Sequence, residues 1–181
     1  MRWILSAGAV LAAVAIAIVV IGWLLPRDHV AAVAARISAP PDSVWAALTD
    51  AAAFPAWRPG VARVDLLPPA PSGPSWREHS GGGTITYVVE AAEPPRRLVT
   101  RIASTDLPFG GTWEYQITPD TTAAGAASRV TIREHGSVYN PVFRFVSRFI
   151  MGHFATLEAY LRALGRRFGQ DIAPERLPSR R

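Results

Sequence analysis

Near the C-terminus, hydrophobic positions recur at three- and four-residue steps: Phe143, Val146, Ile150, Phe154, Leu157, Leu161, Leu164 and Phe168. That spacing places them on one side of a helix and predicts a single long helix over residues 139–168. At about 100° per residue, Arg144, Arg148, Arg162 and Arg166 fall in a narrow sector away from the stripe, which predicts a wet, basic face. Asn140 is positioned to cap the helix, Pro141 to occupy its first turn, and Gly169 with Pro174 to end it.

Between residues 30 and 138 the period changes from 3.6 to 2. Alternation predicts strands at 30–38, 61–67, 76–80, 84–91, 98–103, 112–118 and 129–137. Proline- and glycine-rich turns separate the last six, and such short connections imply an antiparallel meander. Pro40-Pro41-Asp42 opens a short helix at 43–49, and a second turn carries Phe54, Pro55 and Trp57. The expected fold is α+β: a curved antiparallel sheet of about seven strands wrapped around the C-terminal helix, so that two apolar faces bury each other.

From Trp3 to Leu25 the chain carries no charge and is apolar all round. A helix of that length reaches roughly 35 Å, more than a bilayer core. Trp3 and Trp23 lie near its ends, where indoles favour the membrane interface. This reads as a retained transmembrane anchor. The rival is a cleaved signal peptide with Ala32-Val33-Ala34 as its small-residue site, against which the apolar run is long. Arg2 favours a cytoplasmic N-terminus and hence an extracytoplasmic domain, while Arg27 and Arg36 pull the other way. The chain therefore divides into an anchor at 1–26, one domain at 27–169 and a basic, disordered tail at 170–181.

Composition narrows the chemistry. The 181 residues are 49% hydrophobic, enough for one cored domain, and the formal net charge is +5. There is no cysteine, which excludes disulfides and thiolate catalysis. All 19 basic residues are arginine, so no lysine Schiff base is available. His29, His79, His135 and His153 lack a paired metal-ligand spacing. Gly81-Gly82-Gly83 and Gly110-Gly111 open no helix after a strand, so they read as hairpin turns rather than phosphate cradles. No metal, organic cofactor or nucleic acid is indicated.

Ala39-Pro40-Pro41-Asp42-Ser43-Val44-Trp45 opening the first short helix, then Asp50, Phe54-Pro55, Trp57 and Pro59, then Pro108-Phe109-Gly110-Gly111-Thr112-Trp113 leading into a late strand, resemble the SRPBCC superfamily, the START and Bet v 1-like helix-grip proteins. The branch they look most like is the polyketide cyclase/dehydrase and lipid-transport group. The resemblance covers roughly residues 30–168. It implies a deep, mostly apolar cavity between sheet and helix that holds a hydrophobic small molecule. Its motifs are structural, and a shared fold does not fix a shared function.

Several residues carry candidate chemistry. Glu134 is in phase with Val130 and Ile132, so it shares their face. It is either a general base or ligand-orienting group, or a structural ion pair with an arginine. Trp76, Tyr87, Trp113 and Tyr115 are in phase with apolar neighbours, and with Phe154 they form candidate aromatic walls or ordinary core. His79 and His153 are possible proton-transfer partners of Glu134, His153 lying at the edge of the helix stripe. Arg144, Arg148, Arg162 and Arg166 face either anionic headgroups or plain solvent. Three readings follow: a membrane-anchored carrier for a lipid or polyketide-like molecule, a cyclase- or dehydratase-like enzyme using Glu134 with a histidine, and a tethered partner-binding module whose cavity is filled by its own aromatics.

Overall fold

The computed structural model describes residues 2–121 and 125–178, with side chains from Ala7 onward. The interfacial placement expected for Trp3 and the tail arginines Arg180 and Arg181 lie outside those parts.

Helix α1, Arg2–Leu24, leads after Leu25, Pro26 and Arg27 into strand β1, Asp28–Ile37. Helix α2, Pro41–Thr49, a 3-10 turn at Ala51–Ala53 and the short helix α3, Phe54–Trp57, come next. The meander follows as β2 Val61–Ala70, β3 Gly73–Ser80, β4 Gly83–Glu93, β5 Arg97–Ile102, β6 Phe109–Pro119 and β7 Ser128–Val138. The chain closes with α4 Pro141–Val146, a turn at Ser147–Met151, α5 Ala155–Arg167 and β8 Glu175–Leu177.

All these strands form one antiparallel sheet in the order β2-β3-β4-β5-β6-β7-β1-β8. The expected α+β helix-grip architecture is present. Helix α5 packs across β1, and Leu157, Leu161 and Leu164 meet Ala31, Val33, Ala35 and Ile37 in a core that water does not reach. The small side chains of β1 let the helix approach closely, so the stripe and the sheet bury each other.

Four local expectations change. The C-terminal helix is not continuous: the Gly152 amide reaches back to the Ser147 carbonyl at 3.0 Å, one residue further than an α turn, and Gly152 then takes φ 72°. That backbone region suits glycine and ends a right-handed helix. The buried stripe therefore belongs to α5 alone, while Phe143 and Ile150 are exposed. Pro68 and Pro69 lie inside β2 rather than in a turn, because β2 is an edge strand where a missing amide donor is tolerated. Gly110 and Gly111 lie within β6 instead of forming a hairpin turn. Opposite Gly136, the backbones come so close that a Cβ on Gly111 would strike the His135 carbonyl. Finally, residues 175–177 of the expected disordered tail add β8 to the edge of β1, with Arg176 on the Glu158 carboxylate at 2.6 Å.

Within α1, Ala7–Leu24 is apolar and long enough to cross a membrane, and its side chains are almost all exposed. Its C-terminal end is held by the domain. Arg144 donates to the carbonyls of Gly22, Trp23 and Leu25 at 3.3–3.4 Å, groups with no partner inside the helix. Gly22 permits this approach, since any Cβ there would collide with the Pro141 carbonyl. Asn140 caps α4 as expected, accepting from the amides of Val142 at 2.9 Å and Phe143 at 3.3 Å.

Candidate ligand-binding site

The period-2 reading of the strands assembles the wall of a cavity. Trp76 sits opposite Tyr87 across β3 and β4, and Trp113 opposite Glu134 across β6 and β7. With Tyr115 two residues further along β6, these side chains point from the sheet towards α5 and line a cavity of about 640 Å³. The Trp76 and Tyr87 rings stack at 5.5 Å, and Tyr160 of α5 meets Trp113 edge-on at 5.6 Å and Tyr115 at 5.7 Å. Large aromatic surfaces with a few polar tips suit a ligand bearing rings or an acyl chain.

Among the polar groups in this largely apolar lining, two clusters stand out. The first is an ion pair absent from the sequence reading. Arg58, in the turn after α3, donates to Glu78 at 2.5 Å, and the same carboxylate oxygen accepts from the Trp76 indole at 2.9 Å. The guanidinium lies over the rings of Phe54 at 4.7 Å and Tyr160 at 4.9 Å. Burial opposes its charge, but the neighbouring Tyr160 and Glu78 outweigh burial and raise the Arg58 pKa. Burial, reinforced by the Glu78 charge, also raises the Tyr87 hydroxyl pKa. The in-phase position of Glu78 beside Trp76 was the one sequence signal for this pair; nothing in the pattern singles out Arg58.

The second group is Glu134 with His29 and His153. Glu134 faces the cavity beside His29, whose Nε2 stands 3.9 Å from Oε1. Burial raises the Glu134 pKa, partly offset by hydrogen bonding from Trp113. His29 and His153 stack with centroids 3.9 Å apart, and the Ser147 hydroxyl lies 3.3 Å from His153 Nδ1. Burial, then the neighbouring His153, lowers the His29 pKa to about 4. Burial, then Arg148, lowers that of His153. At neutral pH both rings are uncharged, able to accept or donate a hydrogen bond.

The remaining expected site residues lie elsewhere. His79 is one position out of phase with Glu78 and so faces away from the cavity, where Nε2 meets Asp65 at 2.7 Å. It cannot reach Glu134. Phe154 precedes α5 and packs against the core beneath the Arg176 guanidinium at 4.9 Å, outside the cavity lining. Among the arginines, Arg144 is spent on backbone carbonyls, Arg148 is exposed, and Arg162 and Arg166 edge the cavity along α5. Among the described residues no cluster of three histidine or acidic side chains is arranged to hold a metal ion.

Comparison with known proteins agrees with this geometry. The family described as polyketide cyclase/dehydrase and lipid transport matches residues 28–169. No protein of curated function matches significantly in sequence. Among solved structures, a START superfamily protein from Mycobacterium smegmatis is 17% identical, with TM-score 0.62 over 78% of this chain and 97% of its own. The Zhui aromatase/cyclase from Streptomyces sp. R1128 is 15% identical, with TM-score 0.62 over 78% of this chain and 94% of its own. Norcoclaurine synthase from Thalictrum flavum is 12% identical, with TM-score 0.59 over 77% of this chain and 92% of its own. At such identities the likeness is one of fold. The match of the family over nearly the whole folded domain goes further: this chain belongs to the polyketide cyclase/dehydrase and lipid-transport family.

Proposed function

We propose that this protein is a membrane-anchored binding domain that takes a hydrophobic small molecule, a lipid or polyketide-like ring system, and carries or shields it at the bilayer. The observation that carries this reading is the aromatic cavity of about 640 Å³ beside an apolar helix tethered by only Leu25, Pro26 and Arg27. That volume is in the usual range for small-molecule sites. An open cavity also argues against a partner module whose interior is filled by its own aromatics. Arg2 before the span favours an extracytoplasmic domain, against the pull of Arg27 and Arg36.

Native mass spectrometry of the full chain released from nanodiscs tests the reading. A hydrophobic mass should co-purify reproducibly and be lost from Thr100→Phe, which fills the cavity from β5. A wild-type protein that is always empty would count against a carrier.

A second reading is favoured by one observation: Glu134 faces the cavity beside His29 and has a raised pKa. A carboxylate so placed suits a general base for a cyclase- or dehydratase-like step, with His153 in the role expected of it and His29 joining it. Turnover of the co-purified molecule, abolished by Glu134→Gln while binding persists, would favour the enzyme over the carrier.

A further inference from the structure

The apolar side chains of the α4 segment form a surface that the cavity alone does not explain. Phe149 is 59% exposed, Ile150 71% and Met151 63%, with Val142 and Phe143 beside them. Phe145 packs on Phe149 at 4.9 Å, and Phe149, Ile150 and Met151 follow one another, so exposed apolar side chains are concentrated along this short segment. Contiguous exposed apolar surface of this kind marks an interaction site.

Its place in the fold says what covers it. Arg144 and Pro141 clasp the last turn of α1, so α4 lies at the level where that helix ends. The exposed apolar flank of α1 thus continues into the α4 patch. Between Tyr139 and Phe154 the chain has no acidic residue, and its charges are Arg144, turned onto carbonyls, and the exposed Arg148. Apolar side chains interleaved with a free arginine suit the boundary between acyl chains and anionic headgroups.

We propose that residues 139–151 form a second membrane contact, seated in the interfacial layer of the leaflet at which α1 ends. This rests on the reading of α1 as a membrane span. Phe143 and Met151 belong both to the patch and to the cavity lining. The contact therefore sets one end of the cavity opening against the lipid surface, and a hydrophobic ligand enters there without crossing bulk water.

Because the chain has no cysteine, single cysteines report cleanly. Phe149→Cys and Ile150→Cys, which lie outside the cavity lining, are labelled with an environment-sensitive fluorophore in the full chain. The protein is reconstituted in phosphatidylcholine/phosphatidylglycerol vesicles that carry a spin-labelled lipid quencher, shallow in one preparation and deep in the other. Val14→Cys marks the span, and Leu66→Cys, an exposed apolar position on β2, is the control. The 149 and 150 labels should be quenched most by the shallow lipid and the Val14 label most by the deep one, with Leu66 unquenched by either. Unquenched 149 and 150 labels beside a quenched Val14 label would overturn the second contact and leave the anchor standing. A Val14 label unquenched by both lipids would remove the anchor and this proposal with it. Protection that varies with protein density, without lipid quenching, would assign the patch to a second copy of the chain and also overturn it.

Discussion

His29 and His153 lie face to face beside the cavity, their ring planes 26° apart and their centroids separated by 3.9 Å. One ring comes from the first strand after the apolar helix and the other from the break before α5, so the stack joins the two ends of the domain. Two imidazolium ions could not hold this geometry without strong repulsion.

Stability should therefore depend on pH with a definite sign. The folded His29 pKa is about 4, below its ordinary value, so between pH 6.5 and 4 the unfolded chain binds protons that the folded one refuses. Stability is retained above that window and declines as pH falls through it. The loss is about 1–2 kcal/mol once partial solvent exposure is allowed for. Thermal unfolding followed by tryptophan fluorescence should show the decline, and His29→Gln should flatten it.

Glu134 should act in the opposite sense. Burial raises its folded pKa, so its proton is held more tightly in the folded state, and stability falls as pH rises through that pKa. Glu134→Gln removes a buried charge while leaving an acceptor for Trp113. The expected outcome is a melting temperature at or above that of wild type at pH 8, with no gain at pH 4.

The Arg58–Glu78 pair should tolerate double replacement better than single. Arg58→Met leaves the buried Glu78 carboxylate with only the Trp76 indole, a change that costs about 3–5 kcal/mol. Adding Glu78→Leu should recover most of that loss. Denaturant unfolding of the three variants measures the coupling, and equal instability in the single and double variants would contradict it.

Arg144 is expected to be structural. Its replacement by alanine frees the carbonyls of Gly22, Trp23 and Leu25 at the end of α1 and those of Val138 and Tyr139 at the start of α4. The loss should be about 2–3 kcal/mol. It should also quicken tryptic cleavage at Arg27, because the junction between α1 and β1 loses its clasp. Arg144→Lys, with fewer and differently directed donors, should recover only part of the protection.

Much of the site was legible from phase. Trp76, Tyr87, Trp113, Tyr115 and Glu134 face the cavity because a strand sends alternate side chains to one side, and their apolar neighbours reveal which side. The same rule, applied strictly, excludes His79, which is one residue out of step with Glu78. Phe154 lies outside the cavity lining because the helical period does not continue through Gly152, where the backbone turns away. Arg58 lies outside any periodic segment, and His29, although in phase with Ala31, Val33, Ala35 and Ile37, stands one residue before the strand that alternation predicts. Their roles arise from neighbours distant in the chain.

The sequence by itself determined the order of elements, the apolar helix at the N-terminus, the antiparallel meander and the aromatic wall, since these follow from local periodicity and turn chemistry. Only the tertiary structure decided which apolar positions of the last segment are core and which are surface. Leu157, Leu161 and Leu164 are buried against β1, whereas Phe149 and Ile150 have the same polarity but no protein to cover them. It likewise turned Arg144 from a face of a helix into the clasp of α1, and brought His29 to His153. The physical reason is common to all three. Polarity and period fix what a side chain can do, but its partner is chosen by chain segments far away in sequence, and those meet only in the fold.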